Sequence, residues 1–121
     1  MIPTKPTHPY LAGHSISCGE GWFHIISVLC EQLENQEKNH GAPTPIVRQV
    51  KEKYGTLRFY ADNCSEVQDA LIDMAEELSG VTCEVCGKPG RRRAQYETET
   101  RCDEHVTPPR DIDLLYEQSR S

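Results

Sequence analysis

The sequence predicts an α+β protein in which two amphipathic helices pack on a small antiparallel β-hairpin, with a treble-clef-like zinc unit after them. Three patterns indicate this fold class. Apolar residues recur at helical spacing over residues 22–38 and 65–79. Two strand-like runs, 46–51 and 56–61, flank a short polar segment. Two pairs of metal-ligating residue types follow the second helix, and two residues separate the members of each pair.

Length and charge limit the range of structures and partners. The 121 residues and the apolar fraction of 36% fit one domain, or one small α+β body with the zinc unit attached. The formal net charge is −6 and the sequence pI is about 5.3. An acidic chain is a poor general ligand for phosphate backbones or anionic membranes. Basic protein surfaces, or sites that normally take nucleic acid, are the partners that this charge favours.

The chain shows no apolar run of the length of a signal peptide or a membrane span. We therefore expect a cytoplasmic protein whose six cysteines stay reduced, which favours metal binding over disulfides. We divide the chain into an extended N-terminal arm (1–17), an α+β body (18–82), a zinc-binding unit (83–106) and a C-terminal tail (107–121).

The N-terminal arm contains Pro3, Pro6 and Pro9, which disfavour a helix and indicate an extended chain. Tyr10 and Leu11 are the residues that would hold the arm against the body. A partly disordered tail is the alternative.

The first helix is predicted over residues 22–38. We expect the single tryptophan to be buried and His24, which lies off the apolar stripe, to be at the surface. The stripe, typical of a core helix, consists of Trp22, Ile25, Ile26, Leu29 and Leu33.

The two strand-like runs predict a hairpin whose four-residue loop ends in Gly55. Leu57, Phe59 and Ala61 alternate with the residues of the opposite face. The hairpin is basic within an acidic chain and carries interleaved aromatic residues, as single-strand nucleic-acid binders do. A solvated hairpin face is the simpler interpretation. The candidate partner-binding residues here are Arg48, Lys51, Lys53, Tyr54, Arg58 and Tyr60.

The second helix begins with a capping box formed by Ser65 and Gln68 and ends at Gly80. Its opposite face is acidic, which suits a basic partner or simply a solvated surface. The residues that we expect to face the core are Val67, Ala70, Leu71, Met74, Ala75 and Leu78.

The zinc unit is defined by Cys83, Cys86, Cys102 and His105, in the pattern C-x2-C-x15-C-x2-H. Such spacing is typical of structural zinc sites. Three thiolates and one imidazole supply the four tetrahedral ligands of Zn²⁺, so no position stays open for water. The intervening residues suffice for a hairpin with strands 91–95 and 98–102, followed by a short helix. This order of knuckle, hairpin and helix is that of a treble clef.

Arg91, Arg92 and Arg93 open the hairpin of the zinc unit. Three adjacent cations beside a metal site are further candidates for contact with phosphate or with an acidic protein patch. Residues 111–118 are able to form one or two helical turns that pack on the core or bind a partner, and the sequence does not decide between these.

Three cysteines lie outside the ligand pattern. Cys30, within the first helix, is expected to be a small core residue. Cys18 and Cys64 have no assigned role. A second metal site that combines them with His14 lacks a two-residue ligand pair.

Three separated blocks of the sequence resemble a group of small bacterial and phage-borne zinc-ribbon proteins. The blocks are CGEGWF (18–23), QVKEKYGTLRFY (49–60) and CEVCGKPGRRR with RCDEH (83–93 and 101–105). The group shares the patterns CGDGW, VKEKFGTLRFY and CEVCG…CDEH in this order. The resemblance covers about residues 18–106. It implies a bacterial or phage setting and one unit that joins the helices, the hairpin and the zinc site, and it implies no catalytic residue.

An enzymatic function is not expected. Treble-clef units also occur in HNH-type nucleases, where a histidine on the hairpin activates water. Residues 91–101 contain no histidine, and His105 is a predicted zinc ligand. The sequence offers neither a nucleophile–base pair nor a glycine-rich phosphate loop.

Two binding functions remain. The first is a structural-zinc interaction module, phage-encoded by the resemblance, that binds and inhibits a host protein complex. The second is a nucleic-acid-binding protein that uses the basic hairpin and Arg91–Arg93. The overall charge favours the protein partner.

Overall fold

The computed structural model describes residues 5–94 and 98–105. Its elements form one three-stranded sheet in the order β1–β2–β3, a separate two-stranded sheet of β4 and β5, and two helices. The predicted α+β class is confirmed. The elements are β1 (Ile16–Ser17), α1 (Phe23–Asn39), β2 (Ile46–Lys53), β3 (Thr56–Asp62), α2 (Glu66–Ser79), β4 (Arg91–Ala94) and β5 (Thr98–Arg101).

Helix α1 forms the centre of the core, as its apolar stripe predicts. A 3₁₀ turn, Glu20–Trp22, leads into it, and Trp22 is fully buried. The indole Nε1 of Trp22 donates a 2.9 Å hydrogen bond to the carbonyl oxygen of Thr82, which satisfies the buried ring nitrogen. His24 is exposed, as expected. The predicted stripe is buried in full, at Trp22, Ile25, Ile26, Leu29 and Leu33.

The sheet is mixed rather than purely antiparallel. Strand β1, which the sequence placed in the extended arm, pairs in parallel with β2 and sets Ile16 beside Val50. Strands β2 and β3 are antiparallel as predicted, with a bulge between Val47 and Gln49. Because β1 has two residues, it carries too little apolar periodicity to be recognised as a strand from sequence.

The turn of the β2–β3 hairpin is shorter than the four-residue loop that the sequence predicts. Lys53 pairs with Thr56, which leaves two turn residues. Both have positive φ, 55° at Tyr54 and 84° at Gly55, which is the twist that a two-residue hairpin requires. The carboxylate of Glu52 accepts a 2.8 Å hydrogen bond from the amide of Gly55 and stabilises this conformation.

Helix α2 begins at the predicted capping box, and both hydrogen bonds between Ser65 and Gln68 are present. Its buried face differs from the prediction. Of the six residues expected in the core, Ala75 is buried and Leu71 is half-buried. Val67, Ala70, Met74 and Leu78 are exposed, and the buried positions that were not predicted are Gln68, Ile72 and Ser79.

The helix is rotated in this way because α2 runs along the outer edge of β3. The amide of Leu57 donates to Ser79 Oγ at 2.8 Å, and the amide of Phe59 donates to Glu76 Oε2 at 2.9 Å. Leaving such a buried amide without an acceptor costs about 1–3 kcal/mol. The polar residues of α2 therefore occupy its inner face, and part of its apolar stripe faces solvent.

The end of α1 is attached to α2 by Gln68, whose Nε2 donates to the carbonyl oxygens of Leu33 at 3.3 Å and Pro43 at 3.0 Å. The opposite end of α1 contacts the segment after α2 through Trp22 and Thr82. The two helices are therefore antiparallel.

The described part of the N-terminal arm packs on the body. Leu11, in a 3₁₀ turn over Pro9–Leu11, joins the core as expected. The hydroxyl of Tyr10 donates to Glu37, and His8 Nε2 lies 2.7 Å from Glu34 Oε2, so the arm also binds the polar side of α1.

Some of the predictions concern residues outside the described ranges. They are Pro3, the strand end at Gln95, and the tail 107–121 with its predicted helical turns at 111–118. Neither α1 nor α2, the α-helices of residues 5–94 and 98–105, combines the length and the apolar character needed to cross a membrane.

Candidate metal centre

The four predicted ligands converge on one point. Their donor atoms all lie within 4.8 Å of one another, so they are able to hold a metal ion. Cys86 Sγ lies 3.7 Å from Cys102 Sγ. His105 Nδ1 lies 3.7 Å from Cys83 Sγ and 3.2 Å from Cys102 Sγ. Cys83 and Cys102 are buried, and Cys86 and His105 are half-buried.

Each ligand pair is presented by a tight local structure. In the first, the amide of Gly87 donates to the carbonyl oxygen of Cys83 at 2.9 Å, and Gly87 has a φ of 81°, where a side chain would be strained. In the second, a 3₁₀ turn over Asp103–His105 places the imidazole back towards Cys102. Strands β4 and β5 pair antiparallel between them, from Arg91 with Arg101 to Ala94 with Thr98.

Cys83 is prepared to act as a thiolate. Burial raises the pKa of its thiol, but hydrogen bonds to the sulfur from the backbone of Cys102, Cys86 and Val85 have the larger, opposite effect. The pKa of Cys83 is therefore lowered, to about 6. Such hydrogen bonds stabilise the charged sulfur, which is the form that ligates metals.

The metal centre is attached closely to the start of α1. A methyl group placed on Gly21 would meet the carbonyl oxygen of Cys83 at 2.2 Å, and one on Gly19 would meet that of Glu84 at 2.4 Å. The amide of Gly21 donates to the carbonyl oxygen of Glu84 at 2.7 Å. Glycine is required at both positions because backbone meets backbone there.

The Glu84 side chain connects three parts of the chain. Its carboxylate accepts a 2.8 Å hydrogen bond from the amide of Gly19 and lies 3.1 Å from Arg101 Nη1 of β5. Both side chains of this ion pair are largely buried, at 17% exposure for Arg101 and 13% for Glu84. No motif of the sequence marks Glu84 as a residue of this kind. The glycines of CGEGWF were the one available signal that another backbone approaches this segment.

A second attachment joins the β4–β5 sheet to the turn between β2 and β3. The hydroxyl of Thr100, a fully buried side chain, donates to the carbonyl oxygen of Gly55. Arg92 Nη2 donates to the carbonyl oxygen of Tyr54 at 2.6 Å. The metal centre is thus held to the body at two places, α1 and the hairpin turn.

The structure brings some of the candidate partner-binding residues together. Lys51 lies directly across from Arg58, and Gln49 from Tyr60, so these side chains share the outer face of the sheet with Lys53. Arg58 and Arg92 line one cleft of about 490 Å³, together with the acidic side chains of Asp73, Glu76 and Glu77.

The other candidates are paired locally. Arg48 lies 2.6 Å from Asp62, and Arg93 lies 2.8 Å from Asp103. Arg91 is exposed on β4. The basic residues therefore do not form one uninterrupted positive surface within the described residues.

The three remaining cysteines are free thiols. Cys30 is fully buried in the core, as predicted, and burial raises its pKa to about 12. Across residues 5–94 and 98–105, the ligand group above is the one set of three or more potential metal ligands that come together. The second site from His14, Cys18 and Cys64 is therefore not formed.

Comparisons with protein families, with curated proteins and with solved structures gave no match.

Proposed function

We propose that the chain is a structural-zinc interaction module that binds another protein. The observation that carries the proposal is the geometry of the four ligands. A regular tetrahedron with zinc–sulfur bonds of about 2.3 Å and zinc–nitrogen bonds of about 2.0 Å separates two sulfurs by about 3.8 Å, and a sulfur and a nitrogen by about 3.5 Å. Three of the six donor distances here are 3.7 Å for one sulfur pair and 3.7 and 3.2 Å for two sulfur–nitrogen pairs, and all six are within 4.8 Å. Three thiolates favour zinc over harder cations.

A structural role for the zinc follows from the donor set. Four protein ligands complete the tetrahedron, so neither water nor a substrate has a coordination position. The order of knuckle, β4–β5 hairpin and 3₁₀ turn supports a treble-clef-like unit. Reduced thiols require a reducing compartment, and we place the protein in the cytoplasm.

A protein partner is supported by the surface of the two helices. Val67, Met74 and Leu78 of α2 and Val28 of α1 are exposed, and apolar side chains grouped at a surface are typical of interaction sites. The resemblance to phage-borne proteins points to a host protein complex as the target, with inhibition as the consequence of binding.

Nucleic acid is the second candidate ligand. Tyr54 and Tyr60 are exposed, and Lys53 Nζ lies 5.6 Å from the centre of the Tyr54 ring, an arrangement able to stack on a base. The ion pairs of Arg48 and Arg93 and the acidic lining beside Arg58 weaken this candidate, because each reduces the positive potential that phosphates require.

The test is a pull-down from bacterial lysate with the tagged, zinc-loaded chain, with and without nuclease treatment. We expect a stoichiometric protein that survives nuclease and 0.3 M salt. Nucleic acid that co-purifies, with any protein lost on nuclease treatment, would establish the second candidate instead. The variant Lys53→Glu serves as the control, since it weakens nucleic-acid binding but leaves a helix-bound protein in place.

A further inference from the structure

The two helices form an open apolar groove at the protein surface. It has a volume of about 360 Å³ and lies between α1 and α2. Val28 on one wall and Met74 and Leu78 on the other are 39%, 63% and 49% exposed. The groove is lined by His24, Ile25, Val28, Leu29, Gln32, Leu71, Met74, Ala75 and Leu78.

The groove exists because of the rotation of α2. Polar residues of that helix are required at the edge of β3, where Ser79 and Glu76 accept the amides of Leu57 and Phe59. The apolar stripe of α2 is therefore displaced towards α1, where the wall of the groove includes Leu71, Met74 and Leu78. The stripe follows helical periodicity, which is the pattern expected of a wall that receives another helix.

The charge of α1 and α2 indicates which kind of partner the groove would bind. Helix α2 contains five acidic residues and no lysine or arginine, and α1 contains three acidic residues and one lysine. On α2 the exposed Glu77 is three residues after Met74, and on α1 the exposed Glu31 is three residues after Val28, so on each helix a carboxylate neighbours an exposed residue of the groove wall. Glu77 also lines the cleft of Arg58 and Arg92.

A second copy of this chain is a poor occupant by the same reasoning. It would oppose two acidic helices, and like charges brought together are destabilising. The chain's own tail is no better, since residues 107–121 are net acidic, with Asp111, Asp113 and Glu117 against Arg110 and Arg120. A partner helix with positive flanks matches both the apolar lining and the carboxylates that neighbour it on the two helices.

We propose that this groove receives an amphipathic helix of the partner protein whose apolar face is flanked by lysine or arginine. The inference rests on the proposed protein-binding function and names the surface and the partner chemistry for it. Apolar side chains of the partner fill the space between Val28 and Met74, and its cations lie against Glu31 and Glu77.

The direct test uses Met74 as a reporter. The chain contains two methionines, so methyl-labelled protein gives a single internal methionine signal, from Met74. The probe is an 18-residue amphipathic peptide of leucine and lysine. Two control peptides each keep one property of this probe. A peptide of leucine and glutamate keeps the apolar pattern but reverses the charge, and a peptide of serine and lysine keeps the charge but removes the apolar face.

We expect the leucine–lysine peptide to shift the Met74 signal and both controls to leave it in place. Met74→Lys should weaken the peptide at least tenfold, measured by anisotropy of a labelled peptide. Ile46→Lys is the matched control, because Ile46 is similarly exposed, at 46%, but does not line the groove. Equal binding by both variants would overturn the proposal.

Four further outcomes also test the proposal. A Met74 signal that changes with protein concentration alone would assign the groove to a second copy, and one that moves when residues 107–121 are deleted would assign it to the tail. Either overturns the inference. In the lysate pull-down, a partner retained equally by Met74→Lys refutes the groove but leaves the proposed function standing, whereas no protein partner for the wild-type chain refutes the function itself.

Discussion

The contact between Gly21 and the metal knuckle gives the sharpest prediction about stability. In Gly21→Ala the new methyl carbon would lie 2.2 Å from the carbonyl oxygen of Cys83 and 2.6 Å from two atoms of Glu84, all of them backbone. Ordinary contacts of this kind are about 3.5 Å, so the knuckle has to move by roughly 1 Å. Overpacking of this kind typically costs about 1–3 kcal/mol.

Metal affinity should report this cost directly, because Cys83 is one of the four proposed zinc ligands. If the knuckle moves away from α1, the ligand geometry is disturbed, and about 1–3 kcal/mol corresponds to roughly a 5- to 150-fold loss of zinc affinity. The assay is competition of the folded protein with a chromogenic chelator, accompanied by urea unfolding of the zinc-loaded protein.

Gly41→Ala is the matched control. Gly41 has a φ of 72° and open space around the position of the added methyl group. This variant should lose about 1 kcal/mol from backbone strain, with unchanged zinc affinity. If Gly21→Ala bound zinc as tightly as the wild type and unfolded at the same urea concentration, the close attachment of the metal centre to α1 would be refuted.

Three further predictions concern the metal, the strand edge and the arm. Cys102→Ser should lose zinc and unfold the C-terminal third of the chain, since structural zinc contributes about 10–16 kcal/mol of apparent binding energy. Elemental analysis measures the zinc content and circular dichroism the loss of structure, and a full metal content would contradict the prediction. Ser79→Ala removes the acceptor of the Leu57 amide and should lower the free energy of unfolding in urea by about 1–3 kcal/mol. The control Ser15→Ala, at an exposed serine, should change it little, and equal stability of the two variants would count against the contact between Ser79 and β3. Hydrogen bonds from Thr44 and Tyr10 lower the pKa of Glu37 below its ordinary 4.5, so their contribution to stability is present above that pH and is lost as pH falls through the folded-state pKa. Tyr10→Phe should therefore raise the pKa of Glu37 in a carboxyl NMR titration, and an unchanged pKa would refute the contact.

The sequence predicts those features that depend on residues close together in the chain. The stripe of α1, the capping box of Ser65 and Gln68, and the two ligand pairs each follow from a spacing of a few residues, and each is found. The pairing of β2 with β3 was also predictable, because a short turn joins strands of alternating character.

The buried face of α2 shows why the remaining features were not predictable. A hydrophobic stripe normally marks the buried face of a helix, but here the unpaired amides of β3 compete for the same position. An acceptor within hydrogen-bonding distance of the Leu57 amide has to come from Ser79, and the two residues are 22 positions apart. Helical periodicity contains no information about which strand edge a helix will cover.

The family resemblance implies one unit that joins the helices, the hairpin and the zinc site, but the contacts that attach the metal centre to α1 do not follow from the sequence. Gly19 contacts Glu84 across 65 positions, and Trp22 contacts Thr82 across 60. The ligand spacing predicts that a metal is bound, but it does not reveal that the bound unit packs against the first helix.

This attachment links the metal to the apolar groove, and the link is testable without a partner. The groove lining includes His24 and Leu78, and a hydrogen bond joins Trp22 and Thr82, which are two residues before His24 and four residues after Leu78. Because Gly21 is held against Cys83 and Glu84, loss of a bound metal would free the segment that positions the first turn of α1. We therefore expect a chelator to shift and broaden the methyl signal of Met74, and re-addition of zinc to restore it. A Met74 signal that stayed unchanged after the metal had been removed would mean that the helices keep the groove in place by their own packing, and that the metal stabilises only the C-terminal unit.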